Sequence, residues 1–286
     1  MNLLTDPWLP VRTSGGRGMV KPSEIANPAA LALDFPRPDF NGAVAEFLIG
    51  LLSTMCAPQN ENEWRRLWYE RPTSEALQAA FEPAVEAFEF GRFMQADIDG
   101  ERTNIEQLIP DSEGEITARQ SVDLMNRVGQ IAALSPAMAA AALITLQSHA
   151  PEGGSAPNDH SGKREGYYAS IRGGGPLTTL VRAGTDLWGL IWPNVETREQ
   201  LEARAVGPIS SAALAAFPWM RGGLEDITPD NGHPCTVYWT TPRKVKLIVE
   251  PANGVMCDLT GEAGGQIVRH YVRASGGRRF VVGSTR

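Results

Sequence analysis

The spacing of apolar residues between Asn41 and Met55 constrains the fold more than any other feature of the sequence. Apolar side chains recur there at i, i+3, i+4, i+7, i+8 and i+11, at Val44, Phe47, Leu48, Leu51, Leu52 and Met55. That spacing is typical of one face of a buried helix. Asp39 is the expected N-cap, and Pro58 is expected to stop the helix. The amino-terminal half is therefore predicted to pack around this helix.

Further helices are predicted from apolar spacing and capping residues. They are Glu61–Arg71, Ser74–Phe90, Ala133–Gln147, Thr197–Ala205 and Ser210–Phe217. Pro83 implies a kink in the second of these, and Ser135 followed by Pro136 gives the third a cap and a proline at its first position. The aromatic residues of these helices are expected to pack rather than to stack on bases. The acidic, polar stretch Asp97–Glu115 is predicted to be a mobile loop.

Strand-forming sequence is concentrated at the two ends of the chain. The opening segment predicts two short strands around a turn at Gly15 and Gly16. Near the carboxy terminus, four β-rich runs are separated by predicted Pro-Arg, Asn-Gly and Gly-Gly turns. The runs are CTVYWTT, KVKLIVE, QIVRHYV and RFVVG. We therefore predict an α+β fold. It is one large mixed domain over residues 1–286, with a helical amino-terminal half, a β-rich carboxy-terminal section and no four-helix bundle.

A glycine-rich segment lies between these halves, in Ala150–Val195. It contains Gly153 and Gly154, then a second cluster at Gly173–Gly175, and Leu177–Val181 is predicted to be a buried strand. Glycine lets a backbone come close to another molecule because no Cβ intervenes. The loop could thus press its amides against a phosphate or a groove. The alternative is that both clusters are ordinary turns, since neither fits a phosphate-loop or dinucleotide template.

The distribution of charge bears on the class of partner. The net charge is −7, which argues against a free-standing nucleic-acid binder. However, the segment from Cys235 to Arg286 has eight Lys/Arg against three Asp/Glu, whereas the remainder has 18 against 30. Such a chain suits a protein that touches nucleic acid with one face. Three scattered cysteines favour a reducing cytoplasm, and no apolar run approaches the roughly 18 residues that a membrane-spanning helix needs.

No set of residues in the sequence predicts catalysis or metal binding. The four histidines are far apart, and none has a cysteine or carboxylate at ligand spacing. Cys56 lies at the end of the apolar helix and is expected to be inert. Neither a nucleophile elbow nor an HExxH helix is present. We therefore predict that the protein is not an enzyme and has no cofactor.

A series of short motifs, taken in order, carries a family resemblance. They are MNLLTDPWLPVR, RPDFNGAVAEFLIGLL, RFMQ, LMNRVGQIAAL, RGGGPLTTLVRAGTDL, VYWTTPRKVKL and CDLTGE. Together they cover essentially the whole chain. In this respect the chain resembles the amino-terminal part of the large subunit (CasA) of the type I-E CRISPR surveillance complex, Cascade.

The resemblance implies a non-catalytic subunit that reads the protospacer-adjacent motif (PAM) in duplex DNA and helps to start strand separation. Its implied partners are the other Cascade subunits, the crRNA and target double-stranded DNA. A separate helicase-nuclease docks on such subunits, and whether this chain recruits one stays open. The alternative is a structural subunit that stabilises the complex without reading the motif.

The resemblance also assigns residues to the DNA. They are Asn126, Arg127, Gly153, Gly154, Ser155, Arg278 and Arg279. The glycines correspond to the family's glycine-rich loop, and Asn126 to an asparagine in a flexible loop that touches the RNA end or DNA. Either Arg278 or Arg279 takes the place of a hairpin lysine, and arginine is favoured in narrow minor grooves.

Two departures from the family pattern carry predictions of their own. Some members bind zinc through two Cys-x-x-Cys pairs, whose positions here are Ser135, Met138, Cys257 and Thr260. Only one ligand remains, so no zinc is expected. The family's carboxy-terminal four-helix bundle has no counterpart within these residues. The sequence is therefore expected to be a naturally short form, a fragment, or part of a system in which another subunit supplies the missing parts.

Overall fold

The structure is a computed structural model that describes residues 1–109, 129–149, 180–205, 213–221, 233–239, 241 and 243–274. These residues form two compact units. The first comprises the described residues of Met1–Phe93 and Leu177–Thr240, and the second those of Met94–Pro176 and Thr241–Phe280. Each unit combines helices with a small antiparallel sheet, which confirms the predicted α+β class.

The α-helices are α1 Pro38–Met55, α2 Glu61–Tyr69, α3 Ser74–Phe81, α4 Pro136–His149, α5 Trp188–Ile191 and α6 Arg198–Arg204. The strands are β1 Leu9–Thr13, β2 Gly16–Val20, β3 Ala32–Leu33, β4 Arg102–Asn104, β5 Lys244–Pro251 and β6 Gln266–Ala274. Short 3₁₀ turns lie at Pro22–Glu24, Glu82–Phe88, Ile105–Leu108, Trp192–Asn194, Ala213–Ala216, Pro218–Met220 and Pro234–Tyr238. None of the helices in the described part of the chain is long and apolar enough to cross a membrane.

Helix α1 is the centre of the first unit, as its apolar spacing predicts. Its middle is buried, and Phe47 makes edge-on ring contacts with Trp8, Phe88 and Trp239 at centroid distances of 5.8–6.0 Å. Edge-to-face packing of this kind adds to the free energy of burying the rings. The helix begins one residue before the predicted cap. Arg37 is the N-cap and Pro38 the first helical residue, while Asp39 lies in the first turn.

The two predicted strands at the amino terminus are confirmed as β1 and β2. They pair antiparallel with Leu9 opposite Val20 and Thr13 opposite Gly16, and β3 pairs with the other edge of β1. The order is β2-β1-β3. Leu9 and Val11 are buried, so one face of this sheet packs on the core.

The second unit contains a sheet of order β4-β6-β5 and helix α4. Strands β5 and β6 are the predicted KVKLIVE and QIVRHYV runs. The connection between them, residues 252–265, begins with a turn in which Asn253 has φ 48° and Gly254 has φ 84°. Asn-Gly is the usual sequence for such a left-handed turn. In α4, Ser135 Oγ accepts a hydrogen bond from Met138 N–H at 3.3 Å, as its predicted capping role requires.

Several predictions of local structure were wrong. The CTVYWTT run is a 3₁₀ turn at Pro234–Tyr238, not a strand, because His233 caps it and Pro234 occupies its first position. Pro83 ends the α-helix rather than kinking it, since Glu82–Phe88 continues as 3₁₀. Within Asp97–Glu115, predicted to be a loop, Arg102–Asn104 forms β4. At the described end of the Leu177–Val181 run, predicted to be a buried strand, Val181 is 57% exposed and outside any strand.

Candidate nucleic-acid interface

The residues predicted to contact DNA lie outside the described part of the chain. They are Asn126, Arg127, Gly153, Gly154, Ser155, Arg278 and Arg279. The structure therefore neither brings them together nor separates them. What it does describe is how the chain is held next to each of these positions.

The chain that follows Arg127 is held by one carboxylate. Glu106 accepts hydrogen bonds from the backbone N–H groups of Gly129, Gln130 and Ile131, at 2.7, 3.0 and 3.3 Å. Gly129 has φ 91°, in the left-handed region that glycine adopts without strain. Three successive backbone donors around one anion form a concave binding site for that anion. Glu106 thus fixes the backbone two residues after Arg127.

A second carboxylate continues this arrangement. Asp258 accepts hydrogen bonds from Ala132 N–H at 2.7 Å and Ala133 N–H at 2.8 Å, while its own N–H donates to the Ala133 carbonyl. Leu134 then exchanges two backbone hydrogen bonds with Val268 of β6. The residues between Gly129 and Leu134 are therefore anchored to the turn that contains Asp258 and to the sheet before α4 begins.

The chain that precedes Gly153 is anchored near the end of α4. The Gln147 amide donates from Nε2 to the carbonyls of Met94 and Arg243, at 3.1 and 2.9 Å, and accepts from Arg243 N–H at 3.2 Å. The Gln147 side chain is buried, as is Met94, which has φ 52°. A non-glycine residue in that region costs free energy, and this hydrogen bond stabilises the conformation.

After the second glycine cluster, Gly173–Gly175, the described chain resumes at residue 180 and is held in the first unit. Asn194 accepts from Val181 N–H and donates to the Val181 carbonyl, both at 2.7 Å. Asp186 accepts from Arg71 at 2.7 Å and from Gly189 N–H at 2.9 Å. Burial by itself would raise the pKa of Asp186, but the hydrogen bonds from Arg71 and Gly189 outweigh it and hold the pKa below its usual value.

Arg278 and Arg279 come shortly after the end of β6 in the sequence. The last residue of that strand, Ala274, pairs with Lys244 of β5, so regular pairing extends to four residues before Arg278. On the same strand pair, Lys246 binds Asp97 at 2.8 Å. Burial lowers the pKa of Arg243, with a further contribution from Arg273. Cationic side chains are thus close to one another where β5 and β6 pair.

The residues at the zinc positions of the family do not fit a zinc ion. Ser135 Oγ caps α4 and Thr260 Oγ1 accepts from Glu262 N–H, so both oxygens take part in local hydrogen bonds. Met138 offers a thioether, and only Cys257 is a usual zinc ligand. Across the described ranges, no group of three or more His, Cys, Asp or Glu residues could hold a metal ion.

Cys56 and His233 both have strongly shifted pKa values. Burial raises the pKa of the Cys56 thiol to about 12, which makes its reactive thiolate scarce at neutral pH. Burial, together with the charges of Arg198 and Arg221, lowers the pKa of His233 to about 4. His233 Nδ1 accepts a hydrogen bond from Cys235 N–H at 3.1 Å, so its role here is to cap a 3₁₀ turn.

The anchoring residues Glu106, Gln147, Asn194 and Asp258 were not predicted from the sequence. Each acts through its side chain on the backbone of a distant segment, and no local pattern marks such a contact. One indirect signal marked Gln147, which is a buried polar residue near the end of a mostly apolar helix.

Comparison with known proteins places the chain in a family. A family model for CRISPR-associated protein Cse1 matches residues 2–284. The fold is similar to that of Cse1 from Acidimicrobium ferrooxidans, with 20% identity and a TM-score of 0.61, covering 98% of this chain and 52% of that one. Thermobifida fusca Cse1 gives 17% identity and 0.68, with 98% and 52% covered.

A chain of a structure described as a CRISPR RNA-guided surveillance complex, pre-nicking, is also similar. The identity is 16% and the TM-score 0.64, covering 99% of this chain and 56% of that one. The present chain thus spans about half the length of the structures that it matches. Because the family model matches nearly every residue, the protein belongs to the CRISPR-associated Cse1 (CasA) family.

Proposed function

We propose that this chain is a non-catalytic subunit of a Cascade-type surveillance complex that recognises the PAM in duplex DNA and helps to start strand separation. The family match over residues 2–284 carries the proposal. One chain of similar fold belongs to a structure named as an RNA-guided surveillance complex, which supports assembly with other subunits and a crRNA. The proposed DNA contacts are made by the backbone at Gly153 and Gly154 and by Arg278 or Arg279.

The anchors around the predicted contacts support this function. A loop that reads a groove must place its backbone within a fraction of an ångström, and it does so best when its ends are fixed. Glu106 holds the chain after Arg127, and Gln147 holds the chain before Gly153. Both anchors are side-chain hydrogen bonds to backbone, so they fix the path of the chain without themselves needing to touch DNA.

The charge distribution supports a division of labour between subunits. A chain of net charge −7 has few cations with which to release counterions from a duplex, so its contribution to affinity is small and local. In an RNA-guided complex, base pairing reads the target sequence and the protein reads only the short motif. Minor-groove contacts distinguish A·T from G·C pairs but hardly A·T from T·A, so the motif should be short and partly degenerate.

The alternative function is a structural subunit that stabilises the complex without reading the motif. The family match supports assembly into the complex for both functions. The two functions differ in one observable, the dependence of DNA binding on the motif sequence.

The deciding experiment is a gel shift of the reconstituted complex across a library of duplexes with a randomised motif. It compares the complex with and without this chain, and with Gly154→Trp in place of the parent chain. The tryptophan adds bulk where the proposal needs close approach, so it should abolish the preference among motifs.

A matched control is Gly91→Trp. Gly91 is exposed, and a Cβ added there would meet nothing within 4 Å. This variant should keep the motif preference of the parent. If Gly154→Trp binds every motif as well as the parent does, the proposal that this loop reads the motif is wrong. The structural role then becomes the better account.

A further inference from the structure

The outward face of the amino-terminal sheet has an unusual arrangement of charge. Side chains alternate between the two faces of a strand, and residues opposite each other on paired strands share a face. Leu9 and Val11 point to the core, so the opposite face is outward. This hairpin face consists of Pro10, Arg12, Arg17, Met19 and Ala32, by the pairing of β1 with β2 and β3.

Two arginines lie directly opposite each other on this face. Arg12 of β1 pairs with Arg17 of β2, and both are exposed. Like charges at directly opposite positions destabilise a strand pair. Asp34 binds the Arg17 guanidinium and so compensates one of the two charges. Within the described residues Arg12 has no ion pair, and the whole run from Leu9 to Lys21 contains three basic residues and no acidic one.

We propose that the hairpin face is a second nucleic-acid contact, at which Arg12 binds the phosphate backbone of duplex DNA. The guanidinium fork matches phosphate geometry, and an arginine free of acidic partners can release a counterion on binding. Single-stranded nucleic acid is a poorer fit, because binding of single strands relies on exposed aromatic rings. The hairpin face has none, and Trp8 and Phe35, the aromatic residues that flank these strands in the sequence, are buried.

The inference rests on the proposed function only in taking target DNA as the partner. It assigns no base reading to the face, since phosphate contacts position a protein without carrying sequence information. The hairpin face should therefore raise affinity for every duplex equally and leave the motif preference unchanged.

The test measures binding of the full chain to a fluorescein-labelled mixed-sequence 20-base-pair duplex by fluorescence anisotropy. Affinity is determined from about 50 to 200 mM salt, because the contribution of phosphate contacts depends strongly on salt in this range. Arg12→Thr removes the cation and leaves a good strand former. One lost phosphate contact should reduce the slope of log K against log salt by about 0.9, which lowers affinity about eightfold near 0.1 M salt. Arg12→Lys should keep most of the slope.

The matched control is Arg65→Ala on α2. Arg65 is 66% exposed but is paired with Glu61 at 2.6 Å, so its removal should leave the slope unchanged. An unaltered slope in Arg12→Thr, or an equal loss in Arg65→Ala, overturns the proposal. A larger loss for single-stranded RNA of the same length than for the duplex overturns the assignment to duplex DNA.

Thermal unfolding separates binding from folding. Because Arg12→Thr relieves a like-charge pair, its midpoint should equal or exceed that of the parent. A lower midpoint would show that Arg12 serves the fold and contradict the proposal. If the proposed function fails but the hairpin-face contact holds, the parent shows no motif preference, while Arg12→Thr still changes the slope.

Discussion

The side-chain amide of Gln147 pairs with the backbone of Arg243 as a neighbouring β-strand would. Arg243 N–H donates to Gln147 Oε1 at 3.2 Å, and Gln147 Nε2 donates back to the Arg243 carbonyl at 2.9 Å. The same Nε2 also donates to the carbonyl of Met94. One buried side chain thus satisfies three backbone groups and joins α4 to the beginning of β5.

Gln147→Leu should therefore destabilise the protein well beyond the loss of a surface hydrogen bond. Leucine has a similar size but leaves the backbone groups of Met94 and Arg243 without their partner, at a cost of about 2–4 kcal/mol in the free energy of unfolding. Urea denaturation followed by circular dichroism measures the change. Gln130→Leu, at an exposed glutamine of the same unit, should stay within about 0.5 kcal/mol of the parent. Equal stability of both variants would contradict the role of Gln147.

Two glycines of α1 should respond in opposite directions to alanine. A Cβ on Gly50 would lie 2.5 Å from Tyr238 Cβ, so Gly50→Ala forces the 3₁₀ turn away from the helix and should cost about 1–3 kcal/mol. Gly42 has nothing within 4 Å of such a Cβ, and Gly42→Ala should gain about 0.5–1 kcal/mol from helix propensity. Thermal unfolding of the two variants in parallel tests the pair. A stabilising Gly50→Ala would show that Tyr238 is not packed as described.

The His233 side chain should make stability fall on mild acidification. Its pKa is about 4 in the folded protein, below the ordinary value of 6.5 for the unfolded chain. Between these values the unfolded chain binds a proton that the folded protein does not, so the free energy of unfolding decreases as pH falls from about 6.5 to 4. His233→Asn keeps a capping acceptor for Cys235 N–H without the titration. Its melting temperature should fall less than that of the parent between pH 7 and 5; parallel curves would exclude His233 as the cause.

Glu106 should matter for DNA binding without contacting DNA. Glu106→Ala releases the N–H groups of Gly129, Gln130 and Ile131, so the chain beside Arg127 is no longer held in place. Motif-dependent binding by the reconstituted complex should weaken about tenfold, equivalent to about 1.4 kcal/mol. Glu101→Ala removes an exposed carboxylate of the same unit and serves as the control. Loss in both variants alike would indicate a general effect of charge rather than positioning.

Local patterns in the sequence were sufficient to predict the structure of segments whose conformation depends on their own residues. The apolar spacing of α1 and the Asn253-Gly254 turn were predicted correctly because one amphipathic face and one left-handed turn determine them. The CTVYWTT prediction was wrong because His233 and Pro234 begin a 3₁₀ turn there, and tertiary contacts of the following residues stabilise it. Trp239 Nε1 donates to Thr54 Oγ1 at 2.8 Å, and Cys235 is fully buried.

The contacts around the candidate site could not be predicted from such local patterns. Glu106 and Gly129 are 23 residues apart, and Gln147 and Arg243 are 96 apart, so nothing local relates either pair. The DNA contacts at Gly153, Gly154 and Arg278 come from family resemblance, and they lie outside the described residues. They stay predictions, and only binding measurements on variants can test them.

The arginines after β6 should act as alternatives to each other. If either Arg278 or Arg279 can enter the minor groove, the double change to alanine should cost more than either single change. One groove contact of usual strength amounts to about 1–3 kcal/mol of binding free energy. Competition gel shifts with the reconstituted complex give the three values. Full additivity of two small effects would instead indicate two separate phosphate contacts.

The most direct test of the account is the motif preference of the reconstituted complex, measured by gel shift across the randomised duplex library. With the parent chain, the account predicts strong enrichment of a short, partly degenerate motif, and loss of that enrichment both without the chain and with Gly154→Trp. Binding that is equally strong for every motif in the presence of the parent chain would contradict PAM recognition by this protein.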